Sequence, residues 1–196
     1  MSLTKETCYA CERLATTREH IPARCFFPSS KDSNGIDYRK GLLTVPSCNL
    51  HNTAKSRDDQ LLMMVIATSD AVNQVGVDLA LGSVMRSIDR RPALILSLLQ
   101  DTRRMITLHN GQWEETVTMM VDDARLYGSL ELVGRGLFVA HTGAKWRGTV
   151  HAIPKFMRLL SPTGGVTDDR RYRKLHRLAD HWFENNERFG QNPDVF

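Results

Sequence analysis

The sequence contains no apolar run near the ~20 residues that a membrane span needs, and its start, Met1 to Cys11, is polar where a secretory signal would carry an apolar stretch. Membrane-spanning and secreted classes are set aside, and a soluble, cytoplasmic protein is expected. There is no internal repeat and no low-complexity tract, so solenoid and tail-like architectures are not indicated. Cysteine is scarce. The four residues Cys8, Cys11, Cys25 and Cys48 all lie in the first quarter of the chain. Without a secretory signal, disulfides are disfavoured, and clustered intracellular cysteines point to metal instead. Residues 61–196 lack any second catalytic signature. Their histidines (His109, His141, His151, His176 and His181) are scattered, and the last two are five apart, off the i,i+4 ridge that paired helical ligands need.

What is present is a chain of 196 residues, 41% apolar, with a net charge of +4. That length and apolar content allow one domain with a packed core, or a small module with a helical partner. The charge is uneven. Residues 1–60 carry nine Lys/Arg against seven Asp/Glu, residues 61–124 five against eight, and residues 125–196 twelve against seven. Basic ends suit a polyanion such as nucleic acid, because binding releases condensed counterions.

From Asp58 the periodicity becomes helical: Leu61, Leu62, Val65 and Ile66 follow an acidic first turn. Helical reading continues over 77–91, Pro92 stops it or opens the next helix, and 93–105 reads as another. Asn110-Gly111 signals a turn before a short strand around Trp113, Thr116 and Thr118. Residues 124–143 read as a helix followed by a strand, since Gly134 and Gly136 weaken a single helix. Residues 161–169 read as a loop, and 168–189 as an amphipathic helix with Tyr172, Leu175, Leu178, Trp182 and Phe183 near one face. The apolar helices of 61–100 offer a surface either for the core or for a homodimer.

Two short spacings carry the chemistry. Cys8 and Cys11 form a CxxC, and Cys48 and His51 a CxxH. Together they give four soft or borderline ligands, the set for a tetrahedral structural zinc that stabilises a module too small for its own core. A redox pair at Cys8 and Cys11 is the rival reading. Cys25 lies outside both spacings and is expected to be a small buried residue. Between the two pairs stands Glu19-His20-Ile21-Pro22, and after them Asn52 through Asp58. An acid, an imidazole and an amide inside one metal-bound loop are the parts for metal-assisted phosphodiester hydrolysis: oxygen ligands for Mg²⁺ or Mn²⁺, and a base for water.

The elements CYAC, EHIPARCFFP, LLTVPSCNLHN and NTAKSRDD, covering roughly residues 8–60, resemble the HNH endonucleases of the His-Me finger class. The resemblance implies an α+β fold. A zinc-stapled ββα-metal module at 1–60 would precede a mainly helical domain with a few strands at 61–196, and that second part would serve DNA binding or dimerisation. It implies His20 as general base, Glu19 and Asn52 as ligands of the catalytic divalent ion, and Cys8, Cys11, Cys48 and His51 as zinc ligands. It also implies Lys55 near a phosphate, DNA as substrate, and a role in phage defence or a mobile element. The family's middle Asn, which braces the loop carrying the base, has no counterpart here; Leu43 and Thr44 stand nearest. Residues 29–40, with Asn34-Gly35, form a polar insertion expected to be a flexible loop. Arg24, Arg170, Arg171, Arg173 and Lys174 are candidate phosphate contacts, and the rival to an enzyme is a non-catalytic zinc-dependent nucleic-acid-binding module.

Overall fold

The computed structural model describes residues 6–69, 72–90, 92–93, 102–109 and 112–154, with 174–175, 177–179 and 181; for 107–109 it describes the backbone. Among the described residues, helices and two small antiparallel sheets make up an α+β fold. Among the described residues, no helix is long and apolar enough to cross a membrane.

The first sheet pairs β1 (Thr17–His20) with β2 (Thr44–Ser47) antiparallel, with Thr17 opposite Ser47 and His20 opposite Thr44. Alternation sends Glu19 and Val45 to the interior, and Arg18, His20 and Thr44 to the other face. The pairing continues one step further, as the Ile21 amide donates to the Leu43 carbonyl at 3.0 Å. The 29–40 insertion between the strands is anchored rather than loose. Ser33 is buried and its hydroxyl bonds the carbonyls of Ser29 and Ile36, while Asp32 receives both terminal nitrogens of Arg86 at 2.7 Å. Asn34 and Gly35 turn the chain at φ 51° and 88°, which fits their turn propensity.

α1 (Ser56–Ala67) follows β2 and is buried on more than one side: Asp59, Leu61 to Val65 and Ala67 all lie inside. Such all-round burial marks a helix between layers. Its Met63, Met64 and Ala67 pack with Leu79 and Val84 and with Cys25 and Phe26. Its Leu61, Leu62 and Val65 meet Leu126 and Leu130. The chain then runs through α2 (Gln74–Leu79), a π-helical turn at Ala80–Val84 and α3 (Met85–Arg90). Asn73 caps α2 by accepting the Gly76 amide.

β3 (Arg103–His109) and β4 (Gln112–Thr118) form a ribbon with seven residues per strand, its last pair His109 with Gln112. Arg103 to Met105 therefore belong to a strand and not to the end of a helix. The expected helix over 94–101 and the Asn110-Gly111 turn lie outside the described residues.

α4 (Asp123–Thr142) is one continuous helix where a helix and then a strand were expected. Asp122 caps its start through the Arg125 amide, and Gly143 ends it in the left-handed region at φ 71°. Gly136 explains the misreading. It serves a close approach: a Cβ there would lie 2.5 Å from Ile21 Cγ1. α4 thereby lays Leu132, Val133, Leu137 and Val139 against a cluster of Cys8, Tyr9, Ile21, Val45 and Cys48. The Asp58–Arg125 ion pair at 2.6 Å joins α1 to α4.

Candidate metal centre and adjoining polar site

The metal-ligand set comes from two loops. The first is a tight hairpin around Cys8 and Cys11, closed by a bridge between Thr7 and Leu14 and by the Cys8 amide on the Arg13 carbonyl at 2.8 Å. The second leaves β2 at Cys48 and turns through Asn49–His51, with the His51 amide on the Cys48 carbonyl. The Tyr9 amide on the Pro46 carbonyl and the Thr16 amide on the Ser47 carbonyl dock the first loop onto β2.

The result is a cluster of four donors, Cys8, Cys11, Cys48 and His51, whose ligand atoms all lie within 4.8 Å of one another. Cys11 Sγ is 3.8 Å from Cys48 Sγ, and His51 Nδ1 is 3.4 Å from Cys8 Sγ and 3.5 Å from Cys48 Sγ. Tetrahedral coordination with metal–sulfur bonds of ~2.3 Å gives sulfur–sulfur edges of about 3.8 Å. The donor set and its spacing therefore fit a metal ion such as zinc. Burial raises the Cys48 thiol, but the amides of His51 and Leu50 and the neighbouring thiols outweigh it and bring the value below the ordinary one. Burial, then the charges of Arg13 and Lys55, lower His51. A thiolate and a neutral imidazole are the forms that bind metal. Cys25 stands apart from the cluster, as the spacing indicated; burial pushes its thiol up to about 12. Lys145, far along the chain, donates to the Cys11 carbonyl at 2.7 Å and ties the end of the long helix to the first loop.

The second part of the site surrounds β1. His20 is half-buried at the strand end. Its value is lowered by burial and then by the charge of Arg24, itself exposed on the following turn. None of the described residues hydrogen-bonds the His20 imidazole. Its neighbour Glu19 points the other way, into the interior, where Lys55 Nζ lies 3.1 Å from Glu19 Oε1 and 2.5 Å from Asp59 Oδ2. All three side chains are under 10% exposed. Burial raises both carboxyls and Lys55 opposes the rise. The Tyr9 hydroxyl is buried and has no hydrogen-bond partner among the described residues; burial, then the charge of Glu19, raises it. Lys55, read from sequence as a phosphate contact, is thus held inside between two carboxylates.

Asn52 stands at the entry to α1 and is turned toward β1. Its Nδ2 donates to Thr17 Oγ1 at 2.8 Å and to the Arg18 carbonyl at 3.3 Å. It braces the strand that carries His20, a task for which Leu43 and Thr44 were the nearest candidates in sequence. Thr44 is directly opposite His20, but its hydroxyl and carbonyl are taken by Arg18 at 3.0 and 2.9 Å.

Among the described residues, the Cys8, Cys11, Cys48 and His51 group is the one cluster of three or more Cys, His, Asp or Glu ligands. No family model, curated protein or solved structure matches this chain.

Asp59 and Lys145 were not singled out in sequence. Asp59 was within reach, being four residues after Lys55 on one helical face. Lys145 was not, because nothing local ties it to Cys11. Of the basic candidates near the C-terminus, Arg170, Arg171 and Arg173 lie outside the described residues, and Lys174 is helical and exposed.

Proposed function

We propose that this protein is a metal-dependent endonuclease of the HNH, His-Me finger class that cuts phosphodiester bonds in DNA, with a structural zinc at Cys8, Cys11, Cys48 and His51. The observation that carries this reading is the course of the chain from β1 to α1. His20 closes the first strand, the second strand returns antiparallel, and Asn52 leads into the helix with its amide on β1. The four donors of the Cys₃His cluster, close enough to hold one metal ion, come from the loops before β1 and after β2.

His20 is the general base in this reading. Its lowered value keeps the imidazole neutral near pH 7, in the form that accepts a proton from water. Arg24, exposed beside it, offers positive charge where a phosphate would approach. Glu19 and Asn52 are the proposed oxygen ligands of Mg²⁺ or Mn²⁺, an ion that commonly takes one or two protein oxygens and completes its shell with water and phosphate. Bound there, the cation would neutralise charge on the scissile phosphate and the leaving oxygen. Asn52 binds the strand through its nitrogen, which leaves its carbonyl oxygen for a ligand.

A second reading, a zinc-dependent nucleic-acid-binding module without catalysis, is favoured by one observation: Glu19 is buried and shares its carboxylate with Lys55. Supercoiled plasmid incubated with zinc-replete protein separates the two. An endonuclease nicks or linearises the plasmid when Mg²⁺ or Mn²⁺ is added and stops when that ion is withdrawn. Retention of DNA with no cleavage under either ion contradicts the proposal and leaves the binding module.

A further inference from the structure

The ribbon of β3 and β4 carries an apolar face that faces solvent. The register sets Arg104 opposite Val117 and Ile106 opposite Glu115, with Trp113 two residues further along β4, so all five side chains share one face. Ile106 is 69% exposed, Trp113 73% and Val117 57%. Among the described elements, the two strands pack chiefly on each other. A lone two-stranded ribbon is marginal in water, and an exposed apolar patch rimmed by polar groups marks an interaction surface.

Charge selects the occupant. This face holds one cation, Arg104, and one anion, Glu115, 3.3 Å apart, so it presents no net charge. Nucleic acid would find no counterion to release there, and an anionic membrane surface would find no attraction. A second copy of the same face is complementary. A two-fold axis can set Arg104 on the Glu115 of the other copy twice over, with Ile106 and Val117 of each between the pairs and Trp113 beside them.

We propose that the protein self-associates through this face of the β3–β4 ribbon. The inference does not rest on nuclease activity. Seven residues per strand span only ~24 Å, which is short of the ~800 Å² per partner of a standard stable interface. The association is therefore weak, with a dissociation constant in the micromolar range.

Sedimentation velocity of the full chain from about 1 µM to about 200 µM tests this. Wild type shifts from monomer to dimer across that range. Trp113→Ala weakens the dimer at least ~10-fold, as loss of a large aromatic anchor does. Arg104→Glu and Glu115→Arg, each alone, make like-charged faces and stay monomeric, yet an equimolar mixture of the two forms a heterodimer. That mixture separates contact between copies from any effect on the ribbon itself, because neither variant can restore the other's internal pair. A wild type that is monomeric throughout overturns the proposal and assigns the face to another protein or another part of this chain. A dimer indifferent to all three substitutions overturns it too, by placing the contact elsewhere.

Discussion

Lys55 is where single-residue chemistry most constrains this molecule. Its ammonium is buried between Glu19 on β1 and Asp59 one turn along α1, so it fastens the helix to the strand that carries His20. Removing one partner of a buried ion cluster leaves uncompensated charge, at a cost of about 3–5 kcal/mol. Lys55→Met is expected to lower unfolding stability by that amount in urea titration, while an exposed change such as Arg57→Met stays near zero. Asp32 gives a pH signature. The hydrogen bonds of Arg86, then that of Ser29, hold its carboxyl well below the ordinary carboxylate range. A folded value below the unfolded one means the stabilisation is full above the ordinary value near ~3.9 and is lost as pH falls below it. Wild type should therefore lose urea resistance between about pH 4 and pH 2 more steeply than Asp32→Asn, and equal slopes would count against the role given to this pair. At this scale the sequence was informative about residue type but not direction. The four Cys/His ligands were legible because their two-residue gaps are local. The inward turn of Glu19 depends on the register between β1 and β2, which no spacing within either strand reveals.

α4 shows what was and was not readable for whole elements. Gly134 and Gly136 argued against one long helix, since each weakens helix propensity, yet the helix is continuous. The compensation is tertiary. Gly136 lets Ile21 approach to a distance that no side chain would permit, and the contact buries the strand end against the helix. Gly136→Ala is expected to destabilise by about 1–3 kcal/mol through overpacking, despite its better helix propensity. Gly128→Ala on the same helix meets nothing within 4 Å, and is expected to stabilise by about 0.5–1 kcal/mol. Thermal melts of the two variants should move in opposite directions, and a parallel shift would contradict the packing account. β3 was missed for a related reason. Arg103 to Met105 follow an apolar stretch with helical character, and only their pairing with Thr116 to Thr118 makes them a strand. The 29–40 insertion was expected to be loose because it is polar. Its order comes from Arg86, more than fifty positions away.

At the scale of the molecule, the metal cluster and the helical part share one core. Cys8 and Cys48 pack with Tyr9, Ile21 and Val45 under α4, and Lys145 reaches back to the Cys11 carbonyl. The sequence divided the chain near residue 60, whereas α1 runs through that point and α4 covers the hairpin. Metal removal should therefore loosen more than the first sixty residues. Chelation is expected to lower amide-exchange protection in α4 around Gly136 as well as in the hairpin, because binding energy at such a site is folding energy. Protection lost in the hairpin alone would contradict the shared core. The coarse mix of helices and small sheets was legible in the sequence, and the path of the long helix over the first sheet was not, because that path is set by contacts between residues more than a hundred apart.

The central claim is that His20 performs proton transfer at a metal-dependent phosphodiester site. The measurement that tests it most directly is the initial rate of plasmid cleavage by wild type and by His20→Ala, side by side in Mg²⁺ and in Mn²⁺, at matched zinc content and matched DNA affinity. Loss of a general base lowers such rates by ~10²–10⁴-fold. The expected result is a wild type that cuts and a mutant slower by that factor while still binding DNA. Equal rates in the two proteins, or no cleavage by a wild type that holds zinc and binds DNA, would contradict the account.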